Sequence, residues 1–143
     1  MATGIDTSLL VAAEVTSHPD HSRARAKLQS ITQAGEQLAL APQVLAEFIH
    51  IVTDPRRFTA PLDMIAALLR AEAWWNTPGV ARCFPNDAST RTFLAWMRTH
   101  QLGRKRLLDS MLAATYNAAD VKTVLTLNAD DFKVFGCFEL PAI

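Results

Sequence analysis

Short apolar stretches alternate with helical segments along the chain, and this alternation limits the folds that it can adopt. The first stretch, Gly4-Ile5, ends on Asp6 and runs directly into a helical pattern that begins at Thr7. Further stretches with the length and apolar character of buried strands cover residues 38–41, 80–84, 121–127 and, more briefly, 138–140. Strands that alternate with helices form parallel sheets covered on both faces. The sequence therefore predicts an α/β fold, a three-layer α/β/α sandwich with a mostly parallel central sheet.

Capping and breaking residues divide the segments between these strands into helices. Pro42 suits the first turn of a helix over residues 43–53, and Asn86-Asp87 is a cap for a helix that reaches about residue 100. Other helices are predicted over residues 7–15, 20–34, 61–75 and 107–119. No internal repeat or Gly/Pro-rich linker interrupts the pattern, so we expect one domain over residues 1–143.

The composition gives no overall electrostatic preference for nucleic acids or membranes. Fourteen basic and fourteen acidic residues give a formal net charge of zero, so any contact with RNA or DNA must come from local patches. No apolar run approaches the roughly 18 residues of a membrane span, and no signal peptide is recognisable. Cys83 and Cys137 lack a metal-binding spacing and are expected to be reduced thiols. These features predict a cytoplasmic protein with no membrane partner.

Acidic residues are the strongest functional signal in the sequence. Asp6 follows the first predicted strand, Glu47 lies among apolar residues in the middle of a helix, and Asp109 lies in the first turn of the helix over 107–119. Taken singly, an Asp at such a place usually caps a helix or complements its dipole. An unpaired carboxylate among apolar neighbours, as at Glu47, is harder to explain without a function.

The predicted fold brings these acids to one edge of the sheet, where ligand sites of α/β proteins collect. Three or four carboxylates at one place repel each other, so either their pKa values rise or a cation neutralises them. An all-oxygen set of ligands suits Mg²⁺ or Mn²⁺, and no set of His and Cys residues indicates zinc. We therefore expect the cofactor to be Mg²⁺ or Mn²⁺.

Four segments, spread over nearly the whole chain, carry a resemblance to a known family. They are Ile5-Asp6-Thr7-Ser8-Leu9-Leu10, Leu45-Ala46-Glu47-Phe48 with the following residues 52–58, Leu108-Asp109-Ser110-Met111-Leu112-Ala113-Ala114, and Leu125-Thr126-Leu127-Asn128-Ala129-Asp130-Asp131-Phe132. In this order they resemble the PIN domain, and specifically the VapC ribonuclease toxins of bacterial VapB/VapC toxin–antitoxin pairs. The resemblance implies a PIN-like fold and the metal-dependent hydrolysis of phosphodiester bonds in RNA.

The resemblance also implies roles for individual residues. Asp6, Glu47 and Asp109 correspond to the family's three main acidic positions and are the expected catalytic residues. All three are expected at the metal, with Asp6 and Asp109 as direct ligands. Thr7 and Ser8, which follow the first acid, are candidates for contacts with the substrate or with a water molecule at the metal.

A departure from the family pattern concerns the fourth acidic position, where this chain has Asn128. An amide can ligate a metal through its oxygen but contributes no charge. Asp130 or Asp131 is a candidate substitute, and Asp131 is included in the expected metal site. The sequence is therefore compatible with one metal ion or with two.

A basic run precedes the Asp109 helix and is a candidate for binding the phosphates of RNA. The run is Arg104-Lys105-Arg106, and a solvated basic turn is an equal alternative for it. The resemblance implies a VapB-type antitoxin as partner. Of the Trp74-Trp75 pair near a helix end, one ring is expected in the core and the other at an interface, either with the antitoxin or in the homodimer that we expect.

Two other classes of protein compete with the ribonuclease interpretation. The nearer one is a PIN-like module that has weak or no catalytic activity and acts by binding RNA or protein. The other is a phosphotransfer receiver or an aspartate-nucleophile phosphatase, which also use an Asp at a strand end. The phosphatase pattern requires an acid two residues after Asp6, where Ser8 stands. The RNA that is cut and the preferred metal do not follow from the sequence.

Overall fold

The computed structural model describes residues 1–143, which form a four-stranded sheet with helices between the strands. The elements are β1 (Ala2–Ile5), α1 (Thr7–Glu14), α2 (His21–Gln33), β2 (Gln37–Leu40), α3 (Pro42–Val52), α4 (Met64–Trp75), β3 (Ala81–Arg82), α5 (Asp87–Thr99), a 3₁₀ helix (Arg104–Arg106), α6 (Leu107–Ala118), β4 (Thr123–Leu125) and α7 (Ala129–Lys133). Strands and helices alternate as the sequence predicts.

All strand pairs of the sheet are parallel, in the order β3-β2-β1-β4. β1 lies in the centre, with Gly4 opposite Ala39 of β2 and opposite Val124 of β4. Successive residues of β1 and β2 are buried although they point to opposite faces of the sheet. Both faces are therefore covered, and the predicted three-layer arrangement with a parallel sheet is confirmed.

Helix α6 is packed against the sheet through Tyr116. This side chain is fully buried, and its hydroxyl donates hydrogen bonds to the carbonyl oxygens of Ile5 (2.6 Å) and Ala39 (3.2 Å). Gly4 permits the close approach, because a Cβ atom there would lie 2.8 Å from Cε2 of Tyr116. Asp109 lies seven residues earlier on the same face of α6, about 10 Å along its axis. The contact with the sheet thus sets where Asp109 lies.

Several predicted boundaries differ from the structure. Helix α4 begins at Met64 rather than at Pro61, because Asp63 caps it by accepting a hydrogen bond from the backbone N–H of Ala66 (2.7 Å). β3 and β4 are shorter than expected, and the last expected strand is a single bridge between Thr123 and Glu139. None of the helices combines the length and the apolar character that crossing a bilayer requires.

Candidate active site

Asp6 is held at the carboxyl edge of the sheet by the elements on both sides of it. It follows the last residue of β1 and caps α1, with its Oδ1 accepting a hydrogen bond from the backbone N–H of Thr7 (2.8 Å). Its own N–H donates to the carbonyl oxygen of Leu125 at the end of β4 (3.0 Å). The residue is only 5% exposed. Its carboxylate therefore has a fixed position at the end of the central strand.

Two hydroxyl groups complete the surroundings of Asp6. Thr126 and Ser8 both donate hydrogen bonds to Oδ2 of Asp6, at 2.7 Å and 2.9 Å. In turn, Thr126 Oγ1 accepts from the N–H of Asn128 (2.9 Å) and Ser8 Oγ accepts from the N–H of Leu127 (3.0 Å). These contacts connect the start of α1 to the loop after β4. The Ser8 hydroxyl is thereby directed at the protein rather than at the solvent.

Glu47 and Asp109 reach Asp6 from two other helices. Glu47 lies in the middle of α3, Asp109 lies in the first turn of α6, and both are half-buried. Together with Asp6 and Thr7 they line a hollow of about 270 Å³, which we call the inner cleft. The three predicted catalytic acids therefore converge, although they lie far apart in the sequence.

The same three acids also border a larger hollow of about 890 Å³, which we call the outer cleft. Its walls include Arg57 and Phe58 from the loop after α3, and Asn128 from the loop after β4. Ser17, His18 and Asp20, from the segment between α1 and α2, form another part of the wall. The acids thus border both the inner cleft and this larger outer cleft.

Burial and the repulsion between negative charges raise the pKa of all three carboxyl groups. Burial, and then the charges of Asp6 and Asp131, raise the pKa of Asp109 to about 6, although the Arg106 guanidinium opposes this. Burial and the charge of Asp6 also raise the pKa of Glu47, against the effect of Arg57. Burial raises the pKa of Asp6 despite its hydrogen bonds. Each acid would therefore gain from a cation nearby.

The structure separates the two aspartates that follow Asn128. Asp130 faces the solvent and pairs with Lys133 (2.8 Å), which lowers its pKa. Asp131 instead lies beside Arg106, with its Oδ1 4.0 Å from Nε, and its charge raises the pKa of both Asp6 and Asp109. Of the two candidates for the fourth acidic position, Asp131 is the one that lies near the site.

The three residues of the basic run point in different directions. Arg104 and Lys105 are exposed and have no ion-pair or side-chain hydrogen-bond partner. Arg106 turns inward, where its Nε lies 3.7 Å from Asp109 Oδ2 and 4.0 Å from Asp131 Oδ1. The run therefore contains two solvated cations and one cation that belongs to the acidic site.

A divalent cation fits the donors of this site by their chemistry. The acids supply only oxygen, and the side-chain oxygen of Gln43, which also lines the inner cleft, is buried without a hydrogen-bond partner. Hard cations such as Mg²⁺ and Mn²⁺ prefer such ligands. In this structure, however, no three His, Cys, Asp or Glu side chains are arranged so that they could hold a metal ion. Binding would require the carboxylates to draw together.

Comparison with known proteins places this arrangement in a family. A sequence model of the PIN domain matches residues 5–136, which include Asp6, Glu47, Asp109 and Asp131. The chain belongs to the PIN-domain family. The family that the sequence predicts is therefore confirmed.

Curated relatives of this PIN domain are VapC ribonucleases. It is 31% identical to ribonuclease VapC43 of Mycobacterium tuberculosis over 110 residues, which cover 77% of this chain and 75% of the relative. It is 32% identical to ribonuclease VapC33 of the same organism over 75 residues, 52% of each chain. The similarity thus extends over most of the chain for the first of these relatives.

Solved structures resemble this PIN domain over nearly its full length. VapC20 of Mycobacterium tuberculosis, a toxin that cleaves the sarcin-ricin loop, gives a TM-score of 0.73 at 17% identity and covers 98% of this chain and 99% of its own. VapBC2 of Rickettsia felis, bound to a promoter DNA fragment, gives 0.70 at 18% identity, covering 99% and 98%. At these identities the likeness concerns the fold.

Sequence reasoning missed three residues of this site. Thr126 was part of a recognised segment, but only the folded chain brings it to Asp6, 120 positions away. Gln43 lies one helical turn before Glu47, so its position on the same face was available from the spacing. Arg57 lies in a charged loop, and nothing in the sequence indicates the direction of its side chain.

Proposed function

We propose that this PIN domain is a divalent-metal-dependent endoribonuclease that hydrolyses phosphodiester bonds in RNA, and that it is the toxin of a VapB/VapC-type pair. One observation carries the proposal. Asp6, Glu47 and Asp109, which lie far apart in the sequence, line both the inner cleft and the outer cleft at the carboxyl edge of the sheet. The ribonuclease relatives support the type of reaction.

We assign a distinct task to each acid. Asp6 and Asp109 would hold the cation, with Asp131 nearby as a further carboxylate and Asn128 as a neutral donor. Mg²⁺ or Mn²⁺ would stabilise the negative charge that develops on the phosphoryl oxygens and would promote ionisation of the attacking water. Glu47, partly withdrawn from solvent, accepts a proton from that water. The water oxygen then bonds to phosphorus, the P–O ester bond breaks, and the released ribose oxygen takes up a proton.

The RNA follows the outer cleft in this proposal. Arg57, which also pairs with Asp54 (3.6 Å), places a positive charge near Glu47 that would attract an RNA phosphate toward the acids. Exposed Arg104 and Lys105 continue this positive character next to the Asp109 helix. Thr7 is buried and Ser8 is committed to Asp6, so their contribution is to fix the first acid.

The proposed partners are a VapB-type antitoxin and a second copy of the chain. Structural neighbours include VapBC and FitAB complexes, which supports an antitoxin. A row of exposed apolar side chains on α4 supports a homodimer: Met64, Ile65, Leu68 and Leu69. We place the activity in the cytoplasm, where RNA and antitoxin are present together.

The proposed function is tested by incubating the purified chain with total cellular RNA in Mg²⁺, in Mn²⁺ and in chelator. Discrete fragments are expected only with metal, and the Asp6→Asn variant is expected to produce none. Glu47→Gln should slow cleavage at least about 100-fold, because it removes the proton acceptor. Folding of both variants is checked by circular dichroism.

Two results would contradict this proposal. Metal-dependent cleavage by Asp6→Asn at the wild-type rate would show that the activity comes from elsewhere. Intact RNA after incubation with folded, metal-bound protein would favour the alternative, a PIN-like module that only binds RNA or protein.

A further inference from the structure

Arg106 lies where a cation would be expected to bind. Its guanidinium Nε stands between Asp109 Oδ2, at 3.7 Å, and Asp131 Oδ1, at 4.0 Å. Nη2 of the same group donates a hydrogen bond to the carbonyl oxygen of Asp131. The side chain is only 25% exposed, in contrast to its neighbours Arg104 and Lys105. The protein thus directs one of its own positive charges at its acidic site.

The contact is not that of an optimised structural salt bridge. Arg106 Nε is buried and has no hydrogen-bond acceptor, although buried guanidinium N–H groups are normally paired. Asp109 Oδ2 and Asp131 Oδ1 lie beyond hydrogen-bond distance from Nε, so these two carboxylates are attracted to Arg106 by charge alone, and the hydrogen bond of Nη2 goes to the backbone of Asp131. Either carboxylate can therefore move away from Arg106 without breaking a hydrogen bond.

The surrounding charges explain why a cation is needed there. Asp6, Glu47 and Asp131 all raise the pKa of Asp109, and Arg106 is the neighbour that opposes them. Arg57, the other cation near these acids, acts on Glu47. Without Arg106, Asp109 and Asp131 would face each other with no positive charge between them.

We infer that Arg106 is the internal counter-ion of the acidic site and that it competes with the divalent cation for Asp109 and Asp131. In the metal-free protein, Arg106 limits the repulsion between the acids. When the cation binds, these carboxylates turn toward it and the attraction to Arg106 is lost. Arg106 therefore stabilises the metal-free protein and weakens its affinity for the metal. The inference rests on the proposed function only in assuming that the acids bind a divalent cation.

The test uses Mn²⁺ as the probe and measures its binding to the full chain by isothermal titration calorimetry. Arg106→Gln is expected to bind Mn²⁺ roughly tenfold more tightly than wild type, because a full positive charge beside two ligand carboxylates is removed. Arg106→Lys keeps the positive charge but loses the guanidinium group that donates to the Asp131 carbonyl oxygen. Its affinity for Mn²⁺ should lie between those of wild type and Arg106→Gln. In chelator, the melting temperature of Arg106→Gln should fall below that of wild type.

The matched control is Arg104→Gln, which removes the same charge from the same 3₁₀ helix at an exposed position. Its Mn²⁺ affinity and its melting temperature should equal those of wild type. Equal tightening in Arg104→Gln would overturn the inference, since the effect would then be one of overall charge. Unchanged or weaker binding by Arg106→Gln would also overturn it and would leave the proposed function intact. Absence of Mn²⁺ binding in wild type and in all variants would overturn the proposed metal site and the competition together.

Discussion

At the scale of single residues, Asp6 and Asp109 are both carboxylates of the candidate site, but they differ in how firmly hydrogen bonds hold them. Asp6 accepts three hydrogen bonds, from Thr7, Ser8 and Thr126, and so its carboxylate is fixed. The Asp109 carboxylate has only a long ion pair with Arg106. In the proposed metal site, Asp6 would therefore define the position of the cation, and Asp109 would be the acid that adjusts to it.

The acidity of Asp109 predicts how the stability of the metal-free protein depends on pH. Its pKa is about 6 in the folded chain, above the ordinary value of about 3.9 in the unfolded chain. Protonation therefore favours the folded state, and this contribution is full below about pH 4 and is lost as the pH rises through about 6. Between about pH 7.5 and pH 4.5, it should add about 2 kcal/mol to the free energy of unfolding.

The measurement is urea unfolding in chelator across this pH range, for wild type and for Asp109→Asn. The variant lacks the titrating group, so its stability should gain about 2 kcal/mol less than wild type on acidification. Asp130→Asn is the control, because Asp130 is fully exposed and faces away from the site. If the stability of wild type and of Asp109→Asn changed equally with pH, the pKa of Asp109 would not be raised in the folded chain.

At the scale of elements, α6 connects the centre of the sheet to the active site. Its C-terminal half is anchored by Tyr116 under β1 and β2, and its first turn presents Asp109. The distance between these two residues is fixed by the helix itself. A change that displaces Tyr116 is therefore expected to displace Asp109 as well, although the two side chains are seven residues apart on the helix.

Gly4→Ala tests this connection. The added methyl group would lie 2.8 Å from the Tyr116 ring, so either the ring or the strand must move. We expect a loss of about 2 kcal/mol in the free energy of unfolding, as for other overpacked cores. The melting temperature should fall by roughly 5 to 10 °C, and the cleavage rate should fall with it as Asp109 is displaced.

The control is Gly103→Ala, since no atom lies within 4 Å of a Cβ at that position. Its backbone has φ −88°, a conformation that alanine adopts without strain. The melting temperature and the cleavage rate of Gly103→Ala should both equal those of wild type. A Gly4→Ala protein with an unchanged melting temperature would show that Tyr116 has room to adapt.

The elements were predictable from the sequence because their signals are local. Asn86, for example, caps α5 as expected, in a capping box with Ser89. The position of Asp6 was also predictable, because it follows a predicted strand and ligand sites collect at the carboxyl ends of parallel strands. The inward turn of Arg106 and the contact of Thr126 with Asp6 were not predictable, because each depends on loops brought together by the folded chain.

At the scale of the whole molecule, zero net charge means that no long-range field draws in RNA. The acids themselves repel phosphates, so binding depends on the few cations around the clefts. Arg106 is engaged with Asp109 and Asp131, so in the proposed function Arg57, Arg104 and Lys105 are the cations that would contact the RNA. The dependence of RNA binding on salt therefore reports how many of these cations reach a phosphate.

Replacing Arg104 and Lys105 together with Gln tests their part in RNA binding. Each phosphate contact on a single strand contributes about 0.7 to the slope of log affinity against log salt concentration, so the double variant should lose about 1.4 from this slope. Binding is measured by fluorescence anisotropy with a labelled RNA in Ca²⁺, between about 50 and 200 mM salt. The control is Arg25→Gln with Lys27→Gln, which also removes one Arg and one Lys charge but from α2 instead of the 3₁₀ helix before α6. An equal slope in the double variant and in wild type would show that Arg104 and Lys105 form a solvated turn, and that RNA is held by the clefts alone.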